Sequence, residues 1–80
     1  MRLIQEDIFN RIFREIDQLP EAQVKLLKMI YVEGLETHEI AARLGITSNN
    51  VRIQKARTLE KLRTIMLRKG LLPLFFLFFH

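Results

Sequence analysis

The stretch Gly34–Arg63, GLETHEIAARLGITSNNVRIQKARTLEKLR, decides the fold. It opens with a short helical pattern in which Ile40, Ala41 and Leu44 share one side. A tight break follows at Leu44-Gly45-Ile46, where Gly45 can take a positive φ. A second, longer helical pattern then begins after Thr47 or Ser48, both good N-caps, and runs to about Lys69. Arg68, Lys69 and Gly70 form its C-terminal signal. Two helices joined by such a turn are a helix-turn-helix.

The second helix has two sides. Val51, Leu59, Leu62 and Met66 (or Ile65) define the inner one, and Lys55 snorkels past its edge. Asn49, Arg52, Ile53, Ala56, Arg57 and Glu60 form the outer one. The first helix is expected over Thr37 to Leu44. Thr37 is the better N-cap by residue type, although Glu36 could hold that place with Glu39 three positions on.

Upstream, residues 3–19 read as an amphipathic helix. Ile4, Ile8, Ile12 and Ile16 recur every fourth position, and Phe9 and Phe13 widen the stripe. Leu19-Pro20 ends it, because the residue before proline avoids the α region. Pro20 then suits the first turn of a further helix running to about Glu33. Leu26, Leu27, Ile30 and Tyr31, flanked by Val24, are its apolar side, and Gly34 is placed as its cap. The expected fold is therefore all-α, a small four-helix domain over residues 1–70, with the motif at 37–58. An apolar tail, residues 71–80, follows.

That tail, LLPLFFLFFH, holds four of the six phenylalanines. It is about half the length a membrane-spanning helix needs, and Pro73 breaks it. A strand or short helix folded onto the bundle is one reading. A homodimer through the tail or the first helix is another, since apolar surface of this size is rarely left exposed.

Composition narrows the function. A hydrophobic content of 49% suits a packed helical unit and argues against disorder. Cysteine is absent, so there is neither a disulfide framework nor a thiolate metal site. His38 and His80 lie too far apart for metal-ligand spacing. Ser48 is the only serine, and no glycine-rich phosphate loop is present. No catalytic residue, metal ligand or cofactor is expected. The charged opening MRLIQEDIFN does not resemble a signal peptide, which makes the cytoplasm the expected location, with no membrane span.

The formal net charge of +4 is unevenly spread. Residues 1–36 have an acidic balance. Residues 37–70 carry Arg43, Arg52, Lys55, Arg57, Lys61, Arg63, Arg68 and Lys69 against only Glu39 and Glu60. A localised basic face is the footprint of a polyanion binder; a solvated helix face gives the same count.

In order and spacing, Leu19-Pro20, Gly34-Leu35, Glu39-Ile40-Ala41, Leu44-Gly45-Ile46-Thr47, Val51-Arg52 and Leu59-x-x-Leu62-Arg63 resemble region 4 of the sigma factors of bacterial RNA polymerase. The extracytoplasmic-function (ECF) group is the closest type, and Gln54-Lys55-Ala56-Arg57 is similar to a subset of it. The resemblance covers about residues 19–65. It departs at Asn50, where the family usually has threonine, and at Thr58, where it usually has alanine. It implies recognition of double-stranded promoter DNA at the −35 element and docking on the flap of the polymerase β subunit. An anti-sigma factor is a further partner of that kind. Region 2, which melts the −10 element in this family, has no counterpart in these residues. The resemblance therefore implies a chain that does not direct initiation alone.

Candidate contacts follow from helix-turn-helix geometry, in which the start of the second helix meets the base edges. Arg52 can pair with guanine, Asn49 with adenine, and Ile53 can touch a thymine methyl. Ser48 and Asn50 either touch phosphate or cap the helix. Arg57 and Lys61 lie further along, where side chains reach the backbone. His38 and Arg43 could brace the first helix of the motif against phosphate. For these four, plain surface charge is the competing reading. Two other functions fit the same pattern. One is a stand-alone dimeric helix-turn-helix regulator. The other is a protein-interaction module, such as an anti-sigma decoy, working through its apolar helices.

Overall fold

A computed structural model describes residues 3–79, so that Arg2, one of the charged residues of the acidic 1–36 half, and His80, the second histidine, lie outside the described residues. The described chain is all-helical. The four expected helices are α1 (Glu6–Ile16), α2 (Glu21–Tyr31), α3 (Thr37–Leu44) and α4 (Ser48–Arg68), and the tail adds α5 (Leu72–Phe78).

α1 is shorter than the 3–19 expected. Ile4 lies before it, buried, with its main-chain N–H donated to the Tyr31 carbonyl at the end of α2. The helix ends where Asp17 turns left-handed at φ 38°. Its buried side is Phe9, Ile12 and Ile16, with Phe13 half-buried. Ile8, expected in the stripe, is exposed. A four-residue step advances about 40° beyond a full turn. The isoleucine ladder therefore drifts off the core side, and the i, i+3, i+7 set prevails.

α2 begins directly after Pro20 and buries Leu26, Leu27, Met29, Ile30 and Tyr31. The chain then reverses at Gly34 (φ 69°), where an added Cβ would meet the Leu3 side chain at 2.8 Å. α4, at 21 residues, is the spine of the molecule. It packs on α2, α3 and α5. Val51, Leu62, Ile65 and Met66 are buried on it. Both Ile65 and Met66 thus face inward, where periodicity alone left one of the two open. Thr58, not among the residues assigned to the inner side of this helix, is also buried, and its Oγ1 has no hydrogen-bond partner among the described residues.

The tail packs as a short helix. Gly70 (φ 73°) turns the chain and Leu71 donates its N–H to the Met66 carbonyl at 2.7 Å. Pro73 starts the helix instead of breaking it, because a first-turn residue needs no N–H partner. Phe75 and Phe79 are buried against the bundle. Phe79 meets Tyr31 edge-on at 5.2 Å and Phe13 edge-on at 6.1 Å, and Phe13 stacks on Phe9 at 4.4 Å. The Tyr31 hydroxyl donates to the Phe79 carbonyl at 3.3 Å. α1, α2 and the tail are thus joined through one aromatic cluster. Lys69 Nζ, donating to the Glu15 carbonyl at 3.0 Å, ties the end of α4 to the end of α1. A cation there also suits the negative pole of that helix. No helix among the described residues is long and apolar enough to cross a membrane.

Candidate nucleic-acid interface

Local signals fix the geometry of the motif. α3 is capped by Glu36 rather than Thr37: a capping box forms, in which the Glu36 main-chain N–H donates to Glu39 Oε1 at 2.8 Å. The reciprocal bond of a glutamate at the third helical position outweighs the residue-type preference for threonine. Gly45 closes α3 at φ 68°, and the Ile46 N–H returns to the Ala41 carbonyl at 3.0 Å. Leu44, expected inside, is exposed. It is the last residue before the left-handed turn, while Ile46 beyond the turn packs against the core. α4 starts at the Thr47 cap, whose Oγ1 accepts the Asn50 N–H at 3.1 Å.

These caps settle which way α4 points its side chains. With Val51 buried, Asn49, Asn50, Arg52 and Ile53 are exposed around the first turns. Ser48 is half-buried. Ile53 is 42% exposed, an apolar side chain left in water on a polar face. Arg57 and Lys61 are exposed further along the helix. Arg52, Arg57 and Lys61 form no salt bridge among the described residues. Their charge is therefore available to an anion.

The two bracing candidates differ. Arg43 Nη1 lies 3.1 Å from Glu33 Oε1, a carboxylate on the neighbouring loop that already holds its charge. His38 Nδ1 lies 3.4 Å from Glu36 Oε2, and both side chains are largely exposed. Ligand atoms of Glu36, His38 and Glu39 fall within 4.8 Å of one another. Glu36 and Glu39 are engaged in the capping box, so the trio is accounted for by the helix start.

His38, Ser48 and Arg52 are brought together. They line a groove of about 760 Å³ between the end of α2, the start of α3 and the leading half of α4. Its apolar walls come from Ile30, Leu35, Ile40, Val51, Ala56 and Leu59. Lys55 also lines it, with Nζ 5.8 Å from the centre of the Tyr31 ring. This is the snorkelling expected of Lys55, with an aromatic face to receive the ammonium. Burial raises the Tyr31 phenol above its ordinary pKa. Gln54, named above in the family-like run but not among the candidate contacts, donates its Nε2–H to Asn50 Oδ1 at 3.3 Å. The i, i+4 spacing of two amides is the signal that could have found that bond.

A helix-turn-helix with a capped, exposed second helix and cations along it that form no salt bridge among the described residues has the form of a DNA-binding domain. The comparison with known families agrees: residues 9–62 match the family described as sigma-70, region 4. The chain belongs to that family, whose members are non-enzymatic DNA-binding domains acting in transcription initiation. No curated protein and no solved structure matches the chain significantly.

Proposed function

We propose that this chain recognises the −35 promoter element as an ECF-type region 4, reading bases with the start of α4 while docked on the flap of the polymerase β subunit. The observation that carries the reading is the leading end of α4. Asn49, Arg52 and Ile53 are exposed together on a helix whose start is fixed by the Thr47 cap. They supply a donor–acceptor amide, a bidentate donor and an apolar contact, the three ways a side chain addresses a base edge. Arg57 and Lys61, further along, supply phosphate contacts and with them most of the affinity. Ser48 and Asn50 flank the cap, and His38 extends the face from α3. Arg43 contributes least, since Glu33 competes for it. The groove beside Arg52 offers apolar walls to a helix of the flap, and to an anti-sigma factor that competes for the same surface.

Charge reversal tests this reading. Arg57→Glu with Lys61→Glu lies on the exposed side and leaves the core intact. It should weaken binding to promoter duplex and lower the slope of log K against log salt by about one unit for each phosphate no longer neutralised. Unchanged affinity and slope would refute the placement of DNA along α4.

A further inference from the structure

Asn50 and Gln54 form a linked pair on α4. The Asn50 backbone is fixed at the third helical residue by the Thr47 cap, and Gln54 donates Nε2–H to Asn50 Oδ1. Asn50, Gln54, Arg57 and Lys61 follow at steps of four, three and four, so they lie along one exposed stripe. The amides lead that stripe and the cations trail it. In a helix-turn-helix the leading residues meet base edges and the trailing ones meet phosphates.

A carboxamide has one C=O edge and one NH₂ edge. A hydrogen bond between two carboxamides uses the C=O of one and an N–H of the other. The edges that this bond leaves wholly unused are the NH₂ of the accepting amide, a donor, and the C=O of the donating amide, an acceptor. The same holds if both amides rotate and exchange roles. Among the four bases, adenine alone presents both an acceptor (N7) and a donor (N6–H₂) in the major groove. Guanine presents two acceptors, so the outward C=O of the pair would face O6 with no proton between them.

We infer that Gln54 is a specificity-determining residue: with Asn50 it forms a preorganised reader that selects adenine over guanine at one position of the bound duplex. The inference rests on the reading of α4 proposed above and adds to it the base and the residue that fixes it. The internal bond restricts two flexible side chains before DNA arrives, which lowers the ordering cost on binding.

Selection of the intact chain on a pool of random duplexes tests the inference, repeated with Gln54→Ala, Asn50→Ala and the double variant. Gln54 and Asn50 are exposed, so far-UV circular dichroism should show the parent's helix content in all three. The parent should favour adenine over guanine at one position by about tenfold. Each single variant should lose that preference at that position alone, and the double variant should lose no more than either single. The salt slope should not change, because neither residue neutralises a phosphate. Variant profiles that superimpose on a selective parent profile would overturn the inference. So would an even loss of affinity across all sequences, or a Gln54-dependent preference for a base other than adenine. A parent that selects no sequence would overturn the reading of α4 itself, and this inference with it.

Discussion

Replacing Phe79 with alanine asks whether the tail is part of the core. Phe79 is 1% exposed and meets Phe13, Tyr31 and Phe75. Burying such a side chain contributes about 1.5–3 kcal/mol, and its well-oriented ring pairs add about 0.5–1.5 kcal/mol each. The Tyr31 hydrogen bond accepts at the main-chain carbonyl, which alanine keeps. α5 has only seven residues, and its local detachment would limit the loss. A cost of about 3 kcal/mol results, the lower end for phenylalanine truncation in a core. For a domain of 80 residues, total stability is about 4–12 kcal/mol, and each kcal/mol moves the melting temperature by about 4–8 °C. Thermal melts followed by circular dichroism should therefore show Phe79→Ala falling by about 12–24 °C. Phe76→Ala, at a site 49% exposed, gives up one edge-on contact with Phe75 at 5.5 Å and should cost no more than about 1.5 kcal/mol, well short of Phe79→Ala. If Phe79→Ala melts with the parent, the aromatic cluster does not hold the tail and the reasoning fails.

Three further outcomes follow from the packing. Thr58→Val removes a buried hydroxyl without a partner among the described residues at nearly constant volume, and should raise stability by about 1 kcal/mol in urea unfolding. Burial raises the Tyr31 phenol above its ordinary value of 10.0, so the folded chain retains a proton that the unfolded chain releases first. That contribution is complete below about pH 10 and is lost as pH climbs to the folded value, by at most about 1.4 kcal/mol per pH unit. Tyr31→Phe should flatten this alkaline decline when unfolding is measured across pH 9 to 12, while the parent keeps it. Deleting residues 71–80 uncovers Phe13 and Tyr31 and should lower solubility or raise oligomer size in light scattering; an unchanged, stable monomer would count against a structural tail.

Much of this arrangement is legible in the sequence because it rests on local rules. Pro20, Gly45 and Thr47 each act within one turn of themselves, and each sets a helix boundary as expected. The misplacements come from elsewhere. Ile8 shows that a repeat of four is not the helical period of 3.6: from Ile8 to Ile16 within α1 the drift reaches about 80°. Leu44 shows that the last residue before a left-handed turn does not keep the phase of its helix. Thr58 follows Val51 by seven and precedes Leu62 by four, so its position reads as buried while its hydroxyl reads as exposed; position prevails. The tail's composition announced burial but not the element, since an apolar run of that length carries no period. At the interface, the exposure of Asn49, Arg52 and Ile53 was readable from periodicity. The pairing of Arg43 with Glu33 was not, because it joins residues ten apart across a loop.

The central claim is that the start of α4 reads promoter DNA, and Arg52 tests it most directly. Its side chain is exposed, pairs with no carboxylate among the described residues, and lies one residue beyond the buried Val51 that sets the helix phase. Equilibrium binding of the parent and Arg52→Ala should be compared on a promoter duplex and on variants of it altered one base pair at a time across the −35 element. A loss of about 1–3 kcal/mol on the preferred site and a relaxed preference at one base pair are the predicted result. Equal affinity on the preferred site, with the same preference at every position, would contradict it.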